Sequence, residues 1–338
     1  MMLYVLIGFL WFSLLIYLLM GGADFGTGIL ELFSAKDNRS SHRKTSYQAI
    51  GPIWEANHMW LIIAVVVLFV GFPAIYSTVS IYLHIPLLIM LMGIIARGTA
   101  FTFRNYDAVI DKMQGIYNKI YVYSSFITPL FLGIIAGSVV SGKIDTHTTD
   151  FMTAYIYDWL DPFACSVGLF TTSLCSFLAA IYLIGEIKDP LTNHRYKRMA
   201  AITNMAMLIF MIIIFVTAFK EKIPLTQWLF GNTLSLFCVG LASICFVFIW
   251  TNIYNHKVAR MRFFASALVT LLLIAVTYSH YPHLVLLKDH ATLSLIKHQA
   301  PESTVHMLGV ALLIGSLFIL PALFYLVYSF GTKEKVPH

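Results

Sequence analysis

The residues able to do chemistry in this chain are few, and they crowd into its first third. The segment GGADFGTGILELF at 21–33 sets Asp24 and Glu31 seven residues apart, which puts both carboxylates on one face of a helix. GPIWEANHMWL at 51–61 adds Glu55, Asn57 and His58. ARGTAFTFR at 96–104 adds Arg97 and Arg104, again seven apart and on one face. Carboxylates, a histidine, an amide and the hydroxyl of Thr27 are groups that hand protons along a chain with water. Histidine titrates near pH 6.5 when unperturbed, and burial raises a carboxylate toward neutrality. Two arginines against three acids give a workable charge balance. The chemistry on offer is proton transfer, with Glu55, Asp24, His58 and Asn57 as carriers, Glu31 and Thr27 as the point of access, and Arg97 and Arg104 balancing charge. The bland alternative is a set of snorkelling or pairing groups at helix ends. It suits Glu31 and Arg104, which are expected to reach water, better than Asp24, Glu55 and Arg97, which lie inside apolar stretches.

No other constellation competes. His280, His283, His290, His298 and His306 gather in or beside one late polar stretch, but their spacing matches no zinc or haem pattern and reads as a solvated loop. His84 reads as a satisfied interface residue. A transmembrane di-haem site wants paired histidines at matched depths, and these do not occur. Cys165, Cys175, Cys238 and Cys245 lie in apolar runs without a C-x-x-C spacing, which argues against a disulfide framework, a zinc ribbon or covalent haem. No nucleotide loop or nucleophile elbow is present, so no catalytic residue and no metal ligand is assigned to this chain.

The elements that must position the cluster follow from composition. Of 338 residues, 59% are hydrophobic and 11% charged, with mean hydropathy +0.80. Soluble domains carry about 45–50% apolar and about 25% charged residues, so a soluble protein is excluded, and disorder with it. The net charge of +6 suits an anionic membrane surface and calls for no nucleic acid. Windows of about 19 residues predict nine continuous membrane helices near 3–30, 53–75, 79–103, 116–140, 160–185, 200–219, 232–252, 262–279 and 305–330. The fold class is an all-α polytopic membrane protein. The opening Met1-Met2-Leu3 lacks the basic start of a cleaved signal, so the first span is read as mature structure.

Sixteen lysines and arginines fall in one set of alternating loops and the tail, and five in the other set. That bias places the N-terminus outside and the C-terminus in the cytoplasm. Asp24, Glu31, Glu55, His58, Arg97 and Arg104 then share one depth at the cytoplasmic ends of spans 1–3. Pro52 suits a first helical turn, and Glu55 in that turn suits the helix dipole. Gly22 and Gly26 let a neighbouring helix approach. The layout reads as two four-helix units, 1–143 and 144–279, followed by an outer loop and a ninth helix over 280–338. Spans 6–9 read as scaffold, lipid-facing surface or partner contact.

The runs GADFGTG at 22–28, GPIWEANHMWL at 51–61 and ARGTAFTFR at 96–104 resemble those of subunit II of the cytochrome bd-type quinol oxidases, in a short form. The likeness covers essentially the whole chain in span count and loop order. It implies two four-helix bundles plus a peripheral helix in a bacterial plasma membrane. It also implies a non-haem-ligating partner of an oxidase that oxidises quinol and reduces O2 to water. Two b-type haems, haem d and the quinol-oxidising loop would belong to subunit I, the heterodimer partner; a small accessory subunit is left open. The acid of the second motif belongs in the family to a cytoplasmic proton pathway, and here that is Glu55. Asp24, Arg97 and Asn57 match further family positions. Ala56 departs from a common Gly, His58 is not a general family feature, and the stretch between spans 8 and 9 lacks the Trp of longer members. Outside the family, a proton- or cation-coupled secondary transporter with its site among spans 1–3 is the main alternative. It lacks the expected pair of Gly/Pro-interrupted helices. A stand-alone membrane cytochrome is a third reading.

Overall fold

The computed structural model describes residues 1–34, 39, 43, 46, 51, 54–106, 111–184, 190–289 and 291–333. Among them, nine helices are long and apolar enough to cross a membrane. With so little charge and such long apolar helices, the backbone satisfies itself within each helix, as lipid requires. The chain is an all-α, multi-pass membrane protein. His290 lies outside the described residues.

The first span is α1 (Met2–Ile16), a π-helical turn (Tyr17–Gly21) and α2 (Gly22–Phe33) in one run. The second is α3 (Trp54–Val66) closed by another π-turn (Val67–Gly71). Here the expectation of simple continuous spans is corrected. Phe72 leaves the helical region at φ −137° and ψ 60°, and Pro73 opens a separate short helix, α4 (Pro73–Tyr82). The third span starts at His84, not near 79, as α5 (His84–Tyr106). Two prolines cause this. Pro73 has no N–H to give and suits only a first turn, and Pro86 likewise needs a helix start just before it. There follow α6 (Asp111–Ser141), the short α7 (Phe151–Tyr155), α8 (Pro162–Ile184), α9 (Pro190–Lys220), the short α10 (Leu225–Phe230), α11 (Thr233–Tyr254) and α12 (Val258–His280). The last span is α13 (Glu302–Lys333).

Between α12 and α13, strands β1 (His283–Leu286) and β2 (Thr292–Ser294) pair antiparallel, with Val285 opposite Leu293. The expected solvated loop is therefore a small hairpin, and it is tied down: Ile144 bridges Leu287, and Val285 is fully buried. Three of the described histidines in and beside it are engaged. His283 bonds Thr292, His298 Nδ1 accepts from the Ser294 N–H, and His280 packs 4.1 Å from Trp228 at the buried end of α12.

α8 is the central post. Its Ala, Gly, Ser and Cys residues are mostly buried, and small residues let helix backbones come close. Gly26 on α2 shows how close: a Cβ there would lie 2.0 Å from the Cys175 carbonyl oxygen. One core joins α2 to α8, α9, α11 and α12; another joins α1, α3, α6, α8, α13 and the hairpin. Large apolar side chains such as Phe69, Met92, Ile95, Ile212 and Leu317 stay exposed, as a lipid-facing surface requires.

Candidate functional site

The acid–arginine cluster is a two-rung ladder between α2 and α5. Arg97 Nη1 and Nη2 each donate to an Asp24 carboxylate oxygen at 2.7 Å, and Nη2 also reaches the Asp24 carbonyl at 3.0 Å. Arg104 Nη1 donates to Glu31 at 2.9 Å. Each pair is separated by 73 residues, so the two helices run parallel with one register and the seven-residue spacing on each strand of the ladder is matched. The rungs sit at two levels, about 10 Å apart at 1.5 Å per residue, not at one shared depth.

α6 supplies the rest of the cage. Ser125 Oγ accepts from Arg97 Nε at 2.9 Å, and the Tyr121 hydroxyl accepts from Arg97 Nη2 at 3.2 Å. The Tyr121 ring lies under both guanidinium groups, 5.0 Å from Arg97 and 4.1 Å from Arg104, a cation–π geometry. Phe25 covers Arg97 at 5.0 Å. Thr27 donates to the Asp24 carbonyl at 2.8 Å and lies 3.2 Å from the Tyr121 hydroxyl. Burying charges is tolerated when geometry and hydrogen bonding are good, as they are around Arg97; Arg104 Nε has no partner among the described residues.

Glu31 and Arg104 do not reach water as expected; they are 1% and 7% exposed. Arg43, twelve residues further along the chain, closes over Glu31 with a 2.6 Å bond and takes the surface position instead. A charge placed at a span end by counting can be covered by a side chain the count cannot place.

α3 carries the second part of the site. Glu55, in its first turn, is exposed, whereas Asn57 is buried and His58 half-buried. The His58 ring sits among Trp54, Phe25 and Tyr17, with centroids 6.3, 6.0 and 6.3 Å away. Phe25 thus touches the Arg97 guanidinium as well as the His58 ring, and it joins the two parts. The ladder gathers Asp24, Thr27, Glu31, Arg97 and Arg104; Glu55, Asn57 and His58 are not bonded into it. Tyr17, Arg43, Tyr121 and Ser125 are the site residues that sequence reasoning missed. Tyr17 is seven residues before Asp24, the same spacing that flagged Glu31, but a lone tyrosine in an apolar run reads as packing. Among the described residues, no group of three or more His, Cys, Asp or Glu side chains could hold a metal ion.

Arranged this way, the ladder is a rigid electrostatic anchor. Glu55 is exposed and His58 half-buried, both outside that ladder.

Residues 2–330 match the family profile of cytochrome bd terminal oxidase subunit II. The chain is 28% identical over 199 residues to cytochrome bd ubiquinol oxidase subunit 2 of Bacillus subtilis, covering 56% of each chain. It is 24% identical over 196 residues to cytochrome bd-I ubiquinol oxidase subunit 2 of Escherichia coli K12, covering 54% of this chain and 51% of that one. These alignments span about half the length of the curated relatives. A chain of the bd oxidase from Geobacillus thermodenitrificans superposes with a TM-score of 0.77 at 19% identity, over 97% of this chain and 98% of that one; this likeness is one of fold. With a profile match along almost its whole length, the chain belongs to the cytochrome bd terminal oxidase subunit II family.

Proposed function

We propose that this chain serves a quinol:O2 oxidoreductase as the subunit that ligates no haem, and that it admits protons from the cytoplasm to chemistry in a larger partner, subunit I. Two b-type haems and haem d belong to that partner in this reading, and quinol is the substrate of the complex. The observation that carries it is the placing of Glu55: an exposed acid, with His58 one helical turn further in, and His58 packed on the aromatic ring that covers Arg97. The Lys/Arg bias assigns that end of the bundle to the cytoplasm. Roles divide accordingly. Glu55 collects protons, and His58 and Asn57 stand behind it. Asp24 and Arg97, with Thr27 beside them, fix the inner wall. Glu31 and Arg104 fix the rim. If quinol releases its protons outside while O2 reduction takes them from inside, turnover charges the membrane without a pump.

The layout behind this role is two four-helix units, 1–143 and 144–279, with 280–338 adding the outer hairpin and the peripheral helix. α8, the first span of the second unit, packs on α2 and α6 of the first. The partner then needs a surface elsewhere, and the exposed apolar faces of the spans provide it.

Glu55→Gln tests the proposal in the assembled oxidase. Haem content is expected to hold while turnover falls, on the order of the 10²–10⁴-fold that a proton-transfer group contributes. Turnover equal to wild type at pH 7 and pH 9 would refute it. One observation favours a second reading: the first two spans each contain a π-turn, an irregularity that also occurs at transport sites. Solute uptake by vesicles holding this chain alone would support that secondary transporter.

A further inference from the structure

Three buried polar atoms without a protein partner occur in one small region between the first two spans. Tyr17 is 2% exposed and Asn57 1%. The Tyr17 hydroxyl, Asn57 Oδ1 and His58 Nδ1 have no hydrogen-bond partner among the described residues. They belong to two elements in contact. Tyr17 and His58 ring centroids are 6.3 Å apart at an interplanar angle of 51°. Phe25 packs edge-on against both. Asn57 shares its helix face with Trp60, one turn on, and Trp60 is buried in the same cluster as Tyr17 and Phe25. Tyr17 also opens the first π-turn. Such turns are uncommon and concentrate at functional sites, because the extra residue re-aims side chains.

Buried polar atoms are almost always bonded, by protein or by ordered water. Three orphans of complementary type, a donor–acceptor hydroxyl, an acceptor amide oxygen and an imidazole nitrogen, are the partners a buried water collects. The neighbouring side chains are the aromatic Phe25, Trp54 and Trp60, which carry no charge to hold an ion. Phe25, edge-on to Tyr17 and His58, also covers the Arg97 guanidinium at 5.0 Å, so this region abuts the ladder.

We propose that Tyr17, Asn57 and His58 form a binding site for water, and that Tyr17 is a positioning residue that holds this water beside the Asp24–Arg97 pair. The water site stands on the geometry alone. Its effect on turnover rests on the proton-access reading above.

The test uses the assembled two-subunit oxidase in lipid nanodiscs, imaged by electron cryo-microscopy at a resolution that shows water. Ordered density is expected within about 2.7–3.2 Å of the Tyr17 hydroxyl and of Asn57 Oδ1 or His58 Nδ1. Well-ordered side chains with no such density, or a direct Tyr17–His58 bond, would overturn the site. Tyr17→Phe keeps the ring and removes the hydroxyl. It is expected to lower turnover on the order of tenfold, less than a direct proton carrier, and to enlarge the solvent deuterium isotope effect at unchanged haem content and quinol KM. An isotope effect equal to wild type would overturn the positioning role. The two readings separate cleanly. A slow Glu55→Gln with a normal Tyr17→Phe sinks only the positioning role. Density at Tyr17 with a normal Glu55→Gln supports the water site and sinks proton access through Glu55.

Discussion

Asp24 and Arg97 face each other fork to fork, with two 2.7 Å bonds and neither side chain more than 1% exposed. Such a pair contributes little net stability by itself, because its attraction is offset by desolvation, but removing one partner strands a charge and costs about 3–5 kcal/mol. Arg97→Gln is therefore expected to cut the yield of assembled complex and lower its thermal midpoint. Arg97→Lys should rescue poorly, since an ammonium cannot form the fork and would leave Ser125 or Tyr121 unserved. The double change Asp24→Asn with Arg97→Gln should recover much of the loss. Yield and thermal midpoint of wild type, Asp24→Asn, Arg97→Gln and the double variant give the coupling, and additive losses would show that the pair does not act as a unit.

Close helix contact carries a second expectation. A Cβ at Gly26 would meet the Cys175 carbonyl oxygen at 2.0 Å and the Ala179 side chain at 2.6 Å. Backbone cannot yield as a side-chain tip can, so α2 would have to lift from α8, and overpacking of this kind costs about 1–3 kcal/mol or more. Moving α2 also moves Asp24. Gly26→Ala is expected to lower both the thermal midpoint and turnover. Gly115, with nothing within 4 Å of its added Cβ, is the control. A purified complex in which Gly26→Ala and Gly115→Ala melt alike would contradict the packing argument.

Much of this site was legible before any coordinates, and the reason is periodicity. Asp24 with Glu31, and Arg97 with Arg104, share faces because seven residues make nearly two helical turns, and charges inside apolar runs stand out. What could not be read is whatever depends on a third element. Tyr121 and Ser125 complete the arginine cage from α6, but hydroxyls on an apolar helix look like packing or like bonds to their own backbone, which Ser125 also makes. The burial of Glu31 depends on Arg43 folding over it, a tertiary event with no local signature. The prolines at 73 and 86 did carry a signal for the break between the second and third spans, but hydropathy averaging smoothed over it. The hairpin after α12 is short, and its pairing with Ile144 spans a long stretch of chain.

The end of the bundle opposite Glu55 carries a pH dependence with a definite sign. Asp158, in the turn before α8, is 2% exposed with Oδ2 unpartnered among the described residues. Burial pushes its pKa up from 3.8 to about 7; the Asp145 N–H and the nearby Lys288 ammonium pull it down, and the Asp145 carboxylate pushes it up. The folded protein therefore keeps a proton that the unfolded chain has already lost. Stability from this group is intact below about pH 4, falls as pH rises toward 7, and is constant beyond. Asp158→Asn cannot lose that proton. The variant is expected to match wild type near pH 4 and to gain progressively to pH 7, reaching an advantage of about 2–4 °C at pH 8 for each kcal/mol recovered. Asp145 works in the opposite sense. The Lys288 hydrogen bond holds its carboxyl below the usual range, so Asp145→Asn should cost most at neutral pH and lose its effect as acid protonates the wild-type group. Thermal midpoints of wild type and Asp158→Asn between pH 4 and pH 8, with Asp145→Asn followed below about pH 4 where its carboxyl protonates, decide it: a flat difference between Asp158→Asn and wild type would mean that Asp158 is ionised throughout.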